Sequence, residues 1–406
     1  MPKTIYAIAT MDTKGDELAF VAERIAQAGV RAEMVDVGTQ KPPTRKPDID
    51  RETIAACYPD GAKAVLSNTD RGQAIVAMSL ALTEFLKKQY AEGRVAGVIG
   101  LGGTGGTALI APAMRALPIG LPKMIVSTIG GGNVSAYVGN SDLIMVPSIV
   151  DVAGLNSVSR KVLANAAHAI AGMVGHTYAV RDDRPAIGMT MFGVTTPCVE
   201  MVRQALEKEG FDCLVFHATG TGGRAMEKLV EAGLLKGILD ITTTEVADEV
   251  VGGVFPSGPE RFDAILKAKV PYVVSLGALD MVNFGAKETV PEQFRNRKLH
   301  VHNAQVTLMR TTADENRQFA KWIAAKFNRS ISSLTILIPE GGVSAIDATG
   351  QPFHDPAADA ALFETLEANL VQTPQRVIRH LPNHINDRPF ADELVRTFLQ
   401  QWSAKS

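Results

Sequence analysis

Short apolar runs rich in β-branched residues alternate along the whole chain with longer stretches whose apolar positions recur at helical spacing. Residues 3–9 read as a strand, 12–15 as a polar turn, and 16–28 as a helix with Leu18, Val21, Ala22 and Ile25 on one face. Gly29 is a helix stop and 32–37 the next strand; 39–50, with three prolines among basic residues, reads as an exposed loop. Further strands are expected at 62–67, 95–99, 124–127 and 143–146, and helices at 74–90, 107–116 and 156–174. After the charged cluster Arg181, Asp182, Asp183, Arg184 the pattern restarts. Strands are expected at 186–191, 213–217, 237–241, 334–338 and 375–380, and helices at 199–209 and 391–402. Strands alternating with helices imply mostly parallel sheets.

The expectation is therefore an α/β chain of two Rossmann-like domains, 1–180 and 181–406, facing each other across a cleft. The order of strand, Thr-containing turn, helix, Gly stop and strand at 186–217 copies 3–37, and 270–285 answers 121–139. Both an internal duplication and two generic α/β patterns account for that agreement.

The chain is organised around residues 95–133, where two strands each end in bare backbone. The first cluster holds Gly100, Gly102, Gly103, Thr104, Gly105 and Gly106; the second holds Gly130, Gly131 and Gly132, flanked by Thr128 and Asn133. At the carboxyl ends of parallel strands such loops let main-chain N–H groups approach an anion, and a following helix N-terminus adds a favourable field. Two of them suggest a phosphate-bearing ligand. Asp12, Thr13 and Lys14 after the first strand, and Ser67, Asn68, Thr69 and Arg71 after the third expected strand, should reach the same edge. Lys14 and Arg71 would compensate phosphate charge. Although Gly100, Gly102 and Gly105 spell GxGxxG, residues 120–127 hold no Asp or Glu for a ribose, which disfavours NAD. No GxxxxGK[ST] is present, so a P-loop is excluded.

In the second half Glu245, Asp248, Glu249, Asp280, Asn283, His300, His302, Asn303, Glu340, Ser344 and Asp347 are expected at or after strand ends. Carboxylates and imidazoles there suit acid/base work, or a divalent ion such as Mg2+ carrying a phosphate. Glu245, Asp280, His302 and Asp347 are the catalytic candidates, and His300 and His302 with Asp280 could ligate a metal. Ser275 and Cys198 lack the setting of a nucleophile.

Composition narrows the partners. Lys plus Arg total 41 against 43 for Asp plus Glu, so no overall field draws the chain to nucleic acid or an anionic membrane. The uncharged span 97–114 is long enough for a membrane helix, yet six glycines and two threonines interrupt it. Three cysteines without CxxC spacing fit a reducing, cytoplasmic setting.

Several long motifs, in order over essentially the whole chain, resemble one family: MDTKG at 11–15, GLGGTGGT at 100–107, STIGGGN at 127–133, GGRAME at 222–227, LDMVNFG at 279–285, HNAQVTLMRT at 302–311 and IPEGGVSAIDATGQPFHDPAAD at 338–359. It is the family of the ATP-binding inhibitory domain of the tomato mosaic virus resistance protein, with uncharacterised bacterial and fungal relatives. The resemblance implies ATP binding by the first domain, with nucleotide contact at the glycine loops and at Thr13, Lys14, Asn68 and Arg71, two α/β domains, and a homodimer. In the plant protein this region binds a viral replication protein, a role not carried to a chain of this length. The second-domain motifs gain no role from it. An ATP-dependent enzyme, phosphotransferase or ligase-like, acting on a small molecule between the domains is the leading expectation. A non-catalytic, nucleotide-gated module that presents a surface to a protein partner is the alternative, and a nicotinamide oxidoreductase the third.

Overall fold

The computed structural model describes residues 4–176, 178 and 183–405. Lys3 at the start of the first expected strand, and Arg181 and Asp182 of the expected linker, lie outside the described residues. The chain divides into two compact units at Arg181/Asp182.

Unit 1 runs β1 (Thr4–Ala9), α1 (Met11–Gln27), β2 (Ala32–Asp36), α2 (Arg51–Ala55), α3 (Ala62–Leu66), α4 (Arg71–Ala91), β3 (Val95–Gly102), α5 (Thr104–Arg115), β4 (Lys123–Ser127), α6 (Ser135–Val138), β5 (Ile144–Pro147) and α7 (Ser157–Gly175). All of its strand pairs are parallel, in the order β2-β1-β3-β4-β5. Strand β1 shows why: every residue is buried, and alternate side chains enter opposite layers. Tyr6 and Ile8 pack with α4 and α5 residues such as Met78, Leu82 and Ile110, while Ile5, Ala7 and Ala9 pack with Leu18, Val21 and Ile170 of α1 and α7. The order places a topological switch between β1 and β3, from which the chain winds in opposite directions.

The expected strand at 62–67 is instead α3. Its Val65 is buried in the layer formed with Ile54, Met78 and Leu82, so a helical face serves it better than a strand. The turn expected at 12–15 is the first turn of α1, with Lys14 out of helical geometry at φ −124°, ψ 18°. Helix α5 starts at Thr104, inside the glycine cluster rather than after it.

Unit 2 runs β6 (Ala186–Met191), α8 (Thr196–Lys208), β7 (Asp212–His217), α9 (Thr221–Glu231), β8 (Gly237–Thr242), α10 (Thr244–Val251), α11 (Asp263–Lys267), β9 (Tyr272–Gly277), β10 (Met281–Phe284), β11 (Leu299–Asn303), β12 (Val306–Arg310), α12 (Ala313–Phe327), β13 (Leu334–Pro339), α13 (Pro356–Asn369), β14 (Arg376–Leu381) and α14 (Arg388–Lys405). Its six-stranded sheet is parallel, in the order β14-β13-β9-β8-β6-β7. Counted from its own first strand this is again 2-1-3-4-5, with one strand added. An antiparallel sheet, β10-β12-β11, is inserted between β9 and β13. The sequence reading had no such insertion, because the apolar alternation of 281–284 merges with the run before it.

Candidate functional site

In unit 1 the switch point is open. A cleft of about 570 Å³ lies at the carboxyl ends of β1 and β3, lined by Thr10, Asp12, Thr13, Lys14, Thr39, Gln40, Lys41, Arg71, Ile75, Gly103, Thr104, Gly105, Gly106 and Leu109. Two helices start in its wall. Neither α1, with Thr10 before it, nor α5, with Gly103 before it, has a side-chain cap. The N–H groups at the start of α5, and the positive ends of both helix dipoles, make the cleft favourable for an anion, although at α1 Asp36 Oδ1 already takes Met11 N. Helix α4, whose first residue is Arg71, does carry a cap: Gln73 N donates to Asp70 Oδ1 at 2.8 Å. Among the described residues no carboxylate pairs with the ammonium groups of Lys14 and Lys41 or the guanidinium of Arg71, all of which line the cleft. Arg71 is aimed at the glycine loop, since a Cβ built on Gly105 would stand 3.9 Å from its Nη2.

The glycines separate into two kinds. Gly100 and Gly102 are required by packing: a Cβ at Gly100 would lie 3.0 Å from Ile110 Cγ2, and one at Gly102 3.0 Å from Gly106 Cα. Gly103, Gly105 and Gly106 have no such reason. None has φ in the left-handed region, and an added Cβ meets only ordinary contacts at 3.6 Å or beyond. Their bareness serves the space in front of them, as a close-lying ligand would require.

The second glycine loop does not line this cleft. Gly130 lies against the next strand, its would-be Cβ 2.8 Å from Pro147 N, so its bareness is a packing requirement. Gly131, Gly132 and Asn133 are exposed, and Asn133 Oδ1 accepts from the backbone and hydroxyl of Ser135 at the start of α6. Thr128 is exposed and stands beside the first loop, its Oγ1 3.7 Å from a Cβ built on Gly103. Ser67 and Asn68 follow a helix rather than a strand. Ser67 is exposed, and Asn68 supports the α4 start by accepting from Asp70 N at 3.0 Å.

Sequence reasoning missed Thr10, Thr39, Gln40, Lys41, Ile75 and Leu109, which it left in a surface loop or inside elements. The available signal was that 39–41 follows the second strand of a parallel sheet. It also missed Asp36, the last residue of β2, whose Oδ1 accepts from Met11 N at 3.0 Å and Gly38 N at 2.8 Å. Burial pushes this carboxyl above its ordinary range, against the opposing pull of those two donors.

In unit 2 the corresponding strand ends are filled. Thr195 after β6, and Thr242, Thr243, Thr244 and Glu245 at the end of β8, are fully buried. Glu245 is held from both sides: Oε1 accepts from Gly220 N at 2.7 Å and Gly223 N at 3.1 Å, and Oε2 from Arg261 Nε at 3.0 Å. The same guanidinium binds Glu227 at 3.1 Å and Asp240 at 2.8 Å, and Asp240 accepts from Tyr272 and Thr190. This is an internal ion cluster, one cation among three carboxylates.

A second such cluster surrounds Arg310, which contacts Asp347 at 3.4 Å and Asp359 at 2.7 Å and donates to the Asp280 carbonyl. Asp280 is fully buried and accepts from Ser344 Oγ at 2.8 Å. Burial raises Asp280 and Asp347, with their mutual repulsion adding to Asp347, and pushes Asp359 up to about 7. His302 sits on exposed β11. Among the described residues no three His, Cys, Asp or Glu side chains come together to hold a metal, so the expected site of His300, His302 and Asp280 does not form. Nor, among the described residues, is any helix long and apolar enough to cross a membrane.

The chain is thus a pair of doubly wound α/β units, the first with an open crevice lined by basic groups and bare backbone, the second with buried strand-end residues and two internal ion clusters. It belongs to the uncharacterised protein family UPF0261, matching the N-terminal domain over residues 3–179 and the C-terminal domain over 184–402. It is 55% identical to the UPF0261 protein RA0729 of Rhizobium meliloti (strain 1021) over 396 residues, 98% of each chain. It is 48% identical over 417 residues to the ToMV resistance protein Tm-1(GCR237) of Solanum lycopersicum, covering 98% of this chain and 55% of the tomato protein. A UDP-N-acetylglucosamine 2-epimerase from Rickettsia bellii aligns over 100% of this chain and 96% of its own, at 11% identity and TM-score 0.24, too low to bear on function.

Proposed function

We propose that unit 1 binds ATP, with the polyphosphate seated at the β1/β3 crevice. The observation that carries this reading is the stretch Gly103–Gly106: bare backbone with no internal need to be bare, at the uncapped start of α5, opposite Lys14, Lys41 and Arg71. Main-chain N–H groups would hold the phosphates, and the basic side chains would offset their charge. Titration calorimetry of the full chain with ATP tests it. Heat of binding that is weakened by Arg71→Ala and Lys14→Ala is expected, and absence of heat in wild type with and without Mg2+ refutes it.

Whether the nucleotide is consumed is a separate matter. In the enzymatic reading a small metabolite is the second ligand, and the chain is a cytosolic ATP-dependent enzyme. One observation favours the non-catalytic reading instead: of the groups the sequence suggested for acid/base work, Glu245 and Asp347 are committed to buried partners, and Asp280 is fully buried with Oδ2 held by Ser344 and Oδ1 unpartnered. In the binding-module reading ATP orders unit 1 to receive a protein partner. Glu245→Gln decides whether that carboxylate reacts or only supports: unchanged turnover with a lowered melting point removes it from any chemistry.

A further inference from the structure

The carboxyl end of β2 brings together two carboxylates that phosphate binding alone leaves unexplained. Asp36 is 1% exposed; its Oδ1 accepts from two backbone N–H groups, and its Oδ2 is buried with no partner. Asp12, from the first turn of α1, faces the same gap and lines the cleft. Gly38 lies between them: a Cβ there would stand 3.1 Å from Asp36 Oδ1 and 3.4 Å from Asp12 Oδ1. Its φ is not left-handed, so the missing side chain serves the approach of the two carboxylates.

Among the described residues no cation forms an ion pair with either carboxylate; the Arg51 charge eases Asp36 without contacting it, while Asp12 repels it. Among the described residues Asp12 Oδ2 accepts from Lys41 N alone, at 3.3 Å. Basic residues of the neighbouring loop pair elsewhere, Arg45 with Asp16 and Arg51 with Glu52. Two facing carboxylates, one with a buried oxygen that has neither hydrogen bond nor cation, are unfavourable as they stand. A hard divalent cation answers both faults. Mg2+ in particular keeps most of its waters and takes one or two carboxylates plus phosphate oxygens, so it does not need a three-carboxylate cage. A sugar hydroxyl would satisfy Oδ2 but would leave the repulsion between Asp12 and Asp36 in place.

We propose that Asp12 and Asp36 form a divalent-cation site, of the size and hardness of Mg2+, at the rim of the unit 1 cleft, where the ion bridges the protein to the bound polyphosphate. The proposal rests on the ATP reading for its bridging role, but the carboxylate pair can be tested without nucleotide.

The test uses the full chain, wild type, Asp36→Asn and Asp12→Asn. Asp36→Asn keeps an oxygen for the Met11 and Gly38 N–H groups, and Asp12→Asn alters a less buried position should the first variant misfold. Calorimetry with ATP in EDTA and in Mg2+ should show Mg2+ tightening binding to wild type. Both variants should lose that gain while retaining their affinity in EDTA. Persistence of the Mg2+ gain in a folded variant overturns the site. So does loss of affinity in EDTA from Asp36→Asn, which would mean that the carboxylate meets the nucleotide itself. Mn2+ alone, followed by its electron paramagnetic resonance signal, separates this proposal from the ATP reading. Without nucleotide, wild type should quench the free-ion signal and Asp36→Asn should not; a wild type that leaves Mn2+ free overturns the site even if ATP binds.

Discussion

Replacing both Gly105 and Gly106 by alanine should raise stability and lower nucleotide affinity at once. Both residues lie in the first turn of α5, with φ outside the left-handed region and no neighbour closer than 3.6 Å to a new Cβ. Alanine there restricts the unfolded chain without straining the folded one, a gain of about 0.5 kcal/mol per site. For a unit of this size the pair should move the melting midpoint up by roughly 2–4 °C. The same methyls would occupy the space in which a phosphate approaches the backbone. Losing one charge-assisted hydrogen bond, at about 1.5–3 kcal/mol, weakens binding roughly tenfold or more. Gly102→Ala is the control of opposite sign, because its Cβ would stand 3.0 Å from Gly106 Cα and 3.1 Å from Thr107 N, both backbone. Such overpacking should cost about 1–3 kcal/mol. Differential scanning fluorimetry and ATP calorimetry on the two proteins suffice. A double variant that melts lower, or melts higher with unchanged ATP affinity, would refute the division of these glycines into packing and ligand classes.

Two further outcomes concern unit 2. Burial raises Asp248 and Asp359 to about 7 from an ordinary value near 3.8, so the folded unit holds protons that the unfolded chain has already released. Its stability should therefore fall as pH rises from about 4 to 7 and level off above; a melting midpoint that rises over that range contradicts the assignment, and Asp359→Asn should flatten the slope. Arg261→Met strands Glu227, Asp240 and Glu245 as buried carboxylates without their cation, a loss of about 3–5 kcal/mol in urea denaturation. A change below about 1 kcal/mol would refute the reading of Arg261 as the cation that holds these carboxylates together.

The amino-acid sequence by itself determined the alternation of strands and helices and the parallel pairing it implies. Runs such as 95–99 are apolar at every position, which suits strands buried on both faces. It also marked the bare loop Gly103–Gly106 with Lys14 and Arg71, because glycine clusters after strands are a local signal. Tertiary structure alone decided which strand ends are open. The same 2-1-3-4-5 winding leaves a cleft in unit 1, but in unit 2 Arg261 and Arg310 reach their carboxylates over sequence separations that no local pattern reveals. Glu245 and Asp280 therefore looked like free acids in the sequence and proved to be partners in buried clusters. For the same reason Asp36 passed unnoticed, since only the pairing of β1 with β2 carries its carboxylate to Met11. Likewise 62–67 read as a strand from its apolar residues, yet no place for it exists in the sheet, and packing against α4 settles 62–66 as a helix.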